Sequence, residues 1–355
     1  MANPTLSDVA KAAGVSYATA DRVINARGNV AEKSILKVRA AMDSLGYVRD
    51  IAAANLSRGR VYRLTFLLPS GTNAFFATMR GALSELAAHL NAERVQISTV
   101  EIAAFSGEGL VQALHAIDPE TVDGLALVGI TADGLEAPIA TLRDHGVAVV
   151  SLVSDLRDGQ RDAYVGIDNL AAGRTAARLI GMAHRGTSGV VLTIAGSLDA
   201  DDHARRLQGL REVMAQDFPA LTVLDPLISR DDEGRVFDGL QSALRENGAI
   251  TAIYNAGAGN RGLVRALDAA APGCAPLCVL HELVPHSRSA LEAGIIHFII
   301  DQRPQIEVTR AVAILRALID RRDAPPMPEL VPMIYVRDNI PAQSATQLPE
   351  DPSHD

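Results

Sequence analysis

The chain has 355 residues, a mass of 37.5 kDa and 48% hydrophobic residues, which is enough for more than one core because a typical domain holds about 100 to 200 residues. No apolar run reaches the length of about 18 residues that spans a membrane, and the first residues lack the basic and apolar segments of a signal peptide, so we expect a cytoplasmic protein. The two cysteines, Cys274 and Cys278, exclude a disulfide framework and a four-cysteine zinc site, and we interpret them as core thiols.

The net charge of −9 alone argues against binding to nucleic acid, but the charge is not distributed evenly. Residues 1–60 carry nine basic and five acidic side chains, a net of +4, so the rest of the chain carries −13. All three lysines lie within the first 37 residues. A small basic segment before a large acidic body predicts that only the first segment contacts phosphate.

The first segment, residues 1–48, has the apolar spacing and end signals of three short helices. We predict them over residues 5–14, 16–25 and 31–46, with Thr5 and Ser16 as N-caps and glycines at the ends of the first and third. The first two flank a short turn that contains Gly14. This is the sequence form of an all-α helix-turn-helix, whose second helix enters the major groove of DNA with its N-terminal residues leading.

The remaining chain divides into a linker, a large α/β body and a tail. Residues 49–60 are rich in alanine but too short for a stable isolated helix, so we predict a helix that forms only conditionally. Within residues 61–340, apolar strands alternate with helical segments, which favours parallel sheets covered by helices and divided into two lobes. The predicted strands are residues 64–68, 95–100, 124–128, 147–152, 190–194, 252–254, 277–280 and 297–300. Residues 341–355 have the composition of a disordered tail.

The order of residues in the head resembles the lactose-repressor (LacI) family of transcription factors. The resemblance rests on residues 6–16 (LSDVAKAAGVS), Thr19, residues 22–25 (RVIN), Val30 and residues 45–47 (LGY), and it extends more weakly over about residues 4–340. It implies a helix-turn-helix head joined to a two-lobed effector domain like a periplasmic sugar-binding protein of type I, with Rossmann-like lobes. It also implies a homodimer that binds double-stranded operator DNA under the control of a sugar, polyol or sugar phosphate, without a cofactor.

On this resemblance, Tyr17, Ala18 and Arg22 match the positions that read bases in the family. An arginine can donate two hydrogen bonds to guanine, and an alanine methyl group can contact thymine. The alternatives are that Tyr17 packs on the core of the head and that Arg22 is solvated or pairs with Asp21. Asp21 stands where the family usually has a serine, and an acid there repels phosphate unless it is paired.

Other residues of the head and linker match family positions that contact the DNA backbone or the minor groove. The candidates for phosphate contacts are Thr5, Ser16, Thr19 and Asn25, each of which could instead act only as a helix cap. Ala53 and Leu56 match the family's hinge helix, in which leucines from two subunits insert into the minor groove. Packing of Leu56 against the body is the alternative. Residues 49 and 50, Arg-Asp, replace the Pro-Asn that usually begins this helix.

In the body, Arg206 has the spacing of a family arginine that donates to effector oxygens, and its alternative is a surface position, with Arg205 or Arg211 facing outward. Further matches follow predicted strands, where open α/β sheets bind ligands. They are Asn255, His281, Asp301 and Gln302. The opposite lobe contributes Asn73, Asp155 and two rings, Phe75 and Phe76, that can face the C–H surface of a sugar.

Two other motifs compete with this interpretation. The glycines from Gly257 to Gly262 satisfy Gly-x-Gly-x-x-Gly after a predicted strand, with Glu282 about 20 residues later, which is typical of a dinucleotide-binding enzyme or sensor. A weaker version of this hypothesis is that the loop amides receive a phosphorylated effector. Asp199, Asp201, Asp202 and His203 cluster without the spacing of a metal loop, so we predict a solvated acidic loop. No Gly-x-Ser-x-Gly elbow, Walker loop or His-Glu-x-x-His motif occurs, and we expect no enzymatic activity.

Overall fold

In the computed structural model, the described residues are 4–24, 30–47, 60–246, 250–269 and 276–342. The head consists of three helices, α1 (Leu6–Ala13), α2 (Tyr17–Ile24) and α3 (Glu32–Leu45), as predicted. Asn25, the hinge candidates Ala53 and Leu56, Cys274 and the tail beyond residue 342 lie outside the described residues.

Local chemistry explains where the helices of the head begin and end. The Thr5 hydroxyl accepts a hydrogen bond from the Asp8 amide, and the Asp8 carboxylate accepts the Thr5 amide at 2.8 Å, which forms a reciprocal capping box for α1. Gly14 ends α1 with a φ of 63°, in the left-handed region that favours glycine. Val9, Ala20 and Val38 are fully buried, one from each helix, and form the centre of the head's core.

The body contains twelve strands, nine α-helices and two short 3-10 helices among the described residues. The strands are β1 (Tyr62–Pro69), β2 (Val95–Ile102), β3 (Gly124–Leu127), β4 (Ala148–Leu152), β5 (Ala163–Val165), β6 (Gly189–Ala195), β7 (Leu221–Val223), β8 (Leu227–Ile228), β9 (Ile250–Asn255), β10 (Leu277–His281), β11 (Phe298–Asp301) and β12 (Met333–Tyr335). The helices are α4 (Ala74–Leu90), α5 (Gly107–Ala116), α6 (Glu136–Asp144), α7 (Asn169–His184), α8 (Asp201–Asp217), α9 (Glu233–Glu246), α10 (Asn260–Asp268), α11 (Pro285–Glu292) and α12 (Pro304–Ile319).

These elements form two separate sheets, as the sequence predicts. The first sheet has the order β2-β1-β3-β4-β5, and all of its strands are parallel. The second has the order β12-β11-β10-β9-β6-β7, with β8 beside β6, and only β12 is antiparallel to its neighbour. All eight predicted strands are present. The four that the sequence did not reveal, β5, β7, β8 and β12, have two or three residues each, too few for a recognisable hydrophobic pattern.

The chain crosses between the lobes three times, after β5, after β11 and after α12. The first lobe is the first sheet with α4, α5, α6 and α12, and the second lobe is the second sheet with α7 to α11. Helix α12 returns to the first lobe, where Arg316 pairs with Glu93 at 2.8 Å. Cys278 is buried in β10, as expected of a core thiol. No helix among the described residues has the length and hydropathy to cross a membrane.

Candidate functional site

A cavity of about 230 Å³ lies between the two lobes. Its walls are the loops that follow β1, β2, β3 and β4 in the first lobe, and those that follow β6, β8, β9, β10 and β11 in the second. The carboxyl ends of parallel strands meet at one edge of each sheet, and both of these edges face the cavity. This is the place where open α/β sheets bind ligands.

Arg206 lies in α8 and reaches into this cavity. It is only 2% exposed, so its interpretation as a surface arginine is wrong. Its Nε donates to Asn169 Oδ1 at 2.9 Å and its Nη1 donates to the Ala256 carbonyl at 2.8 Å. Its Nη2 has no hydrogen-bond partner among the described residues. A buried guanidinium donor left unpaired is costly, and an oxygen of a bound ligand would remove that cost.

His281 and Gln302 present two more unpartnered atoms at the same cavity. The Nε2 atom of His281 shares a hydrogen bond of 2.9 Å with the Tyr254 hydroxyl, while its Nδ1 has no partner among the described residues. Burial and the nearby Arg206 charge hold the pKa of His281 well below its usual value, so the ring is neutral. Gln302 donates from Nε2 to Glu282 at 2.6 Å, which leaves its Oε1 free to accept.

Six titratable residues of this wall were not identified as effector-binding candidates from the sequence: Asp202, His203, Arg230, Asp231, Asp232 and Glu282. The interpretation of Asp202 and His203 as part of a solvated loop is wrong, because they are 6% and 5% exposed in the first turn of α8. The available signal was the spacing of Asp202 and Arg206, four residues apart on one helix face. Burial acts to raise the pKa of Asp202, but the charges of His203 and Arg206 hold it below its ordinary value.

Glu282 also lines the cavity, where its carboxyl group accepts the hydrogen bond from Gln302, and its backbone has a φ of 73°. Burial, followed by repulsion from Asp301, raises the pKa of Glu282 to about 8. The group is therefore mostly protonated at neutral pH, and it can donate a hydrogen bond as well as accept one.

The first lobe supplies aromatic and amide groups. Phe75 and Phe76 line the cavity with their ring centres 5.1 Å apart, and Phe105 adds a third ring near His203. The Oδ1 atom of Asn73 caps α4, and its Nδ2 donates to Asp231 of the second lobe at 3.1 Å. The lobes are thus joined by a direct hydrogen bond at the cavity wall.

Three predicted effector residues do not line the cavity: Asp155, Asn255 and Asp301. Asp155 pairs with Arg161, and Asp301 accepts the amides of Leu283 and Arg303 at 3.0 and 3.1 Å. Asn255 bonds the Gly257 amide and Asn260. These side chains bind to neighbouring loop residues and stabilise the loops. The sequence did not reveal this, because a position at the end of a strand does not determine the direction in which a short polar side chain points. We therefore leave them out of the proposed site.

The glycine loop does not fit a dinucleotide. The Gly257 amide donates to Asn255 Oδ1 at 3.1 Å, and the Ala258 amide donates to Asp231 Oδ1 at 2.9 Å, so protein oxygens use the amides that would meet phosphate. A Cβ atom on Gly262 would lie 1.9 Å from the Glu233 carbonyl oxygen. The need for that glycine therefore comes from the close packing of α10 on α9.

In the head, Tyr17, Ala18 and Arg22 are exposed on α2. Tyr17 is 59% exposed, so the alternative in which it packs on the core of the head is wrong. The hydroxyl oxygens of Ser16 and Thr19 are 2.8 Å apart at the N-terminus of α2. Thr5 is the N-cap residue of α1, as Ser16 is for α2. Thr5 and Ser16 therefore cap their helices, and both side chains remain exposed at the surface.

Comparisons with known proteins agree with this organisation. The chain is 25% identical over 214 residues to the HTH-type transcriptional regulator DegA of Bacillus subtilis, which covers 60% of this chain and 61% of that protein. It is 30% identical over 183 residues to the sucrose operon repressor of Streptococcus mutans, 49% of this chain and 51% of that protein. The matched regions thus span about half to three fifths of these relatives.

Among solved structures, a solute-binding protein of an ABC transporter from Burkholderia graminis, in complex with D-arabinose, has the same fold as the body. Its TM-score is 0.72 at 23% identity, over 79% of this chain and 96% of that chain. Residues 64–323 match the periplasmic binding protein domain, and residues 5–50 match the bacterial regulatory proteins of the lacI family. The larger part of the chain therefore belongs to the periplasmic binding protein domain family, and its head is similar to the bacterial regulatory proteins of the lacI family.

Proposed function

We propose that this protein is a transcriptional regulator, specifically a repressor of a carbohydrate-utilisation operon. It acts in the cytoplasm as a homodimer on a pseudo-palindromic operator, has no catalytic role, and responds to a small polyhydroxylated effector in the cavity between its lobes. The observation that carries the effector assignment is the convergence of three buried, unpartnered polar atoms on one cavity: Arg206 Nη2, His281 Nδ1 and Gln302 Oε1.

The chemistry of the cavity favours a sugar or polyol over a flat or apolar ligand. Arg206 donates, Gln302 accepts, and a neutral His281 does either according to its tautomer, so together they match hydroxyl groups, which both donate and accept. Phe75 and Phe76 offer apolar faces to C–H groups. The related fold with bound D-arabinose and the sucrose operon repressor support this choice of ligand class.

Control of DNA binding follows from linkage between the two sites. An effector held by both lobes stabilises one arrangement of the lobes, as the hydrogen bond between Asn73 and Asp231 already does in part. In the dimer, that arrangement biases whether residues 50–58 fold into hinge helices on DNA. Because this segment is too short to be helical alone, its folding is an equilibrium that both ligands can shift.

The test is to measure binding of the purified protein to duplex DNA from upstream of its own gene and of neighbouring genes. The measurement is repeated with a panel of sugars and polyols, and at several salt concentrations. We expect sequence-specific binding that falls steeply with salt, and that one compound reverses or strengthens. Turnover of a substrate, or the absence of specific DNA binding under every condition, would overturn the proposal.

A further inference from the structure

The acidic and basic side chains at the cavity differ in what already surrounds them. Among the described residues that line it, four carry carboxyl groups, Asp202, Asp231, Asp232 and Glu282, and two carry guanidinium groups, Arg206 and Arg230. Two histidines, His203 and the neutral His281, also line it, and Glu282 is mostly protonated. The neighbours of each basic group therefore decide whether the cavity accepts an anion.

The buried cation, Arg206, is already compensated. Its Nη2 lies 4.0 Å from the Asp202 carboxylate, and both residues are buried. Since the pKa of Asp202 is lowered, this carboxyl group is ionised and offsets the arginine charge. The Nη2 group of Arg206 can therefore donate to a ligand. The arginine charge, however, is already offset by Asp202 and is not available to neutralise a phosphate.

The backbone donors that commonly receive anions are also occupied. Asp231 Oδ1 accepts the Ala258 amide, and Asp231 Oδ2 accepts Asn73 Nδ2 at 3.1 Å. Gly257 donates to Asn255. The carboxylate of Asp231 therefore stands at the glycine loop in the position that a ligand anion would need.

The second guanidinium, Arg230, lies at the rim. It is exposed, lies 6.0 Å from the ring centre of Phe105 and donates to the Ala104 carbonyl at 3.4 Å. Two carboxyl groups, Asp231 and Asp232, follow it directly in the chain. A solvated arginine beside two acids gives little attraction for an anion.

We propose, building on the function proposed above, that the effector is an uncharged sugar or polyol, and that Asp231 makes the cavity reject phosphorylated and carboxylated derivatives. A bound anion would lose its hydration and meet the carboxylates of Asp202 and Asp231, while the buried basic side chains Arg206 and His203 already lie within 4.0 Å of Asp202. Burial also raises the pKa of Asp231, a further sign that this environment disfavours negative charge. We expect the anionic partner of the effector to bind at least about 100-fold more weakly than the neutral compound.

The experiment is isothermal titration calorimetry on the full chain with matched sets of ligands. Each set contains a neutral pentose, hexose or pentitol, its phosphate ester and its carboxylic acid. In the Asp231→Asn variant, the amide oxygen can still accept the Ala258 amide while the charge is lost. We expect the ratio of neutral to phosphorylated affinity to fall about 10-fold or more. The control is Asp225→Asn at a fully exposed acid, which should leave the ratio unchanged.

A phosphorylated or acidic ligand that binds more tightly than its neutral partner would overturn this inference and leave the proposed regulator intact. An unchanged ratio in Asp231→Asn would show that Asp231 does not set the selectivity. If no ligand of any set binds, the effector site itself is wrong, and the inference falls with it.

Discussion

The two lobes contribute different chemistry to the same cavity. Every charged side chain among the described lining residues belongs to the second lobe, as do the three unpartnered polar atoms. The first lobe contributes aromatic rings, backbone and small polar side chains such as Asn73 and Ser154. The comparison indicates a division of labour, in which the second lobe recognises hydroxyl groups and the first lobe closes over them and buries the ligand.

Replacing Arg206 should break this division most severely. Arg206→Ala removes the central donor and takes from the buried Asp202 carboxylate a guanidinium 4.0 Å away, so we expect no measurable effector response and a loss of about 3 kcal/mol or more in the free energy of unfolding. Operator binding by the head should persist below the melting temperature. Calorimetry with the effector and thermal melts measure the two effects.

Arg205→Ala is the matched control, because Arg205 is the adjacent residue of α8 but has a side chain that is 54% exposed and pairs, among the described residues, only with Asp201 at the surface. It should behave like the wild type in both measurements. A normal effector response in Arg206→Ala at ordinary effector concentrations would contradict the assignment of this arginine to the site.

The pH dependence of stability should also trace to the second lobe. The pKa of Glu282 rises from 4.5 to about 8 in the folded protein, so the native state holds this proton more tightly than the unfolded state. The free energy of unfolding therefore falls as the pH increases from 4.5 to about 8, by at most about 1.4 kcal/mol per pH unit for this group. Glu282→Gln, which cannot ionise, should show a shallower decline.

Melting temperatures measured at several pH values without effector test this prediction. The pKa of the buried Glu307 is also raised, by burial and by Glu282, so part of the decline should remain in the variant. Glu292→Gln replaces an exposed acid of α11 and should leave the profile unchanged. Parallel curves for the wild type and Glu282→Gln would contradict the assignment.

A smaller effect is expected from one of the hydrogen bonds between the lobes, that of Asn73 with Asp231. Asn73→Asp keeps the oxygen that caps α4 but places a carboxylate against Asp231, so repulsion should favour separated lobes. Asn73→Ser also keeps a cap but only removes the bond. Small-angle scattering without effector should give a larger radius of gyration for Asn73→Asp than for Asn73→Ser. Equal radii would contradict a direct role in closure.

The smallest effects should separate recognition from burial. Phe76→Leu reduces the aromatic surface of the first lobe and should weaken all bound sugars by a similar factor of about 10 or less. Gln302→Leu removes one acceptor from the second lobe and should weaken only ligands that carry the matching hydroxyl. Affinities for the effector and its deoxy analogues distinguish the two patterns. Uniform losses in Gln302→Leu would remove the distinction between the lobes.

Local sequence signals predicted much of this architecture. The capping pair of Thr5 and Asp8, the terminal glycines of α1 and α3 and the longer apolar strands are properties of short segments, and the structure contains them. Arg206, His281 and Gln302 line the cavity, as predicted from their resemblance to effector-binding positions of a known family.

The rest of the site depends on contacts between distant segments. Asp231 faces the cavity because it binds Asn73 and Ala258, which are 158 and 27 residues away, and no local pattern encodes that. Asp301 was predicted to bind effector because it follows a strand, but its carboxylate accepts hydrogen bonds from the amides of Leu283 and Arg303. Which polar residues remain available to a ligand is decided by hydrogen bonds that form only in the folded protein.

A crystal structure of the full chain with the effector found by the sugar panel is the most direct test of the central claim. We predict ligand oxygens within hydrogen-bond distance of Arg206 Nη2, His281 Nδ1 and Gln302 Oε1, with the ring or chain of the ligand against Phe75 or Phe76. An effector bound outside this cavity, or within it but away from these three atoms, would contradict the account.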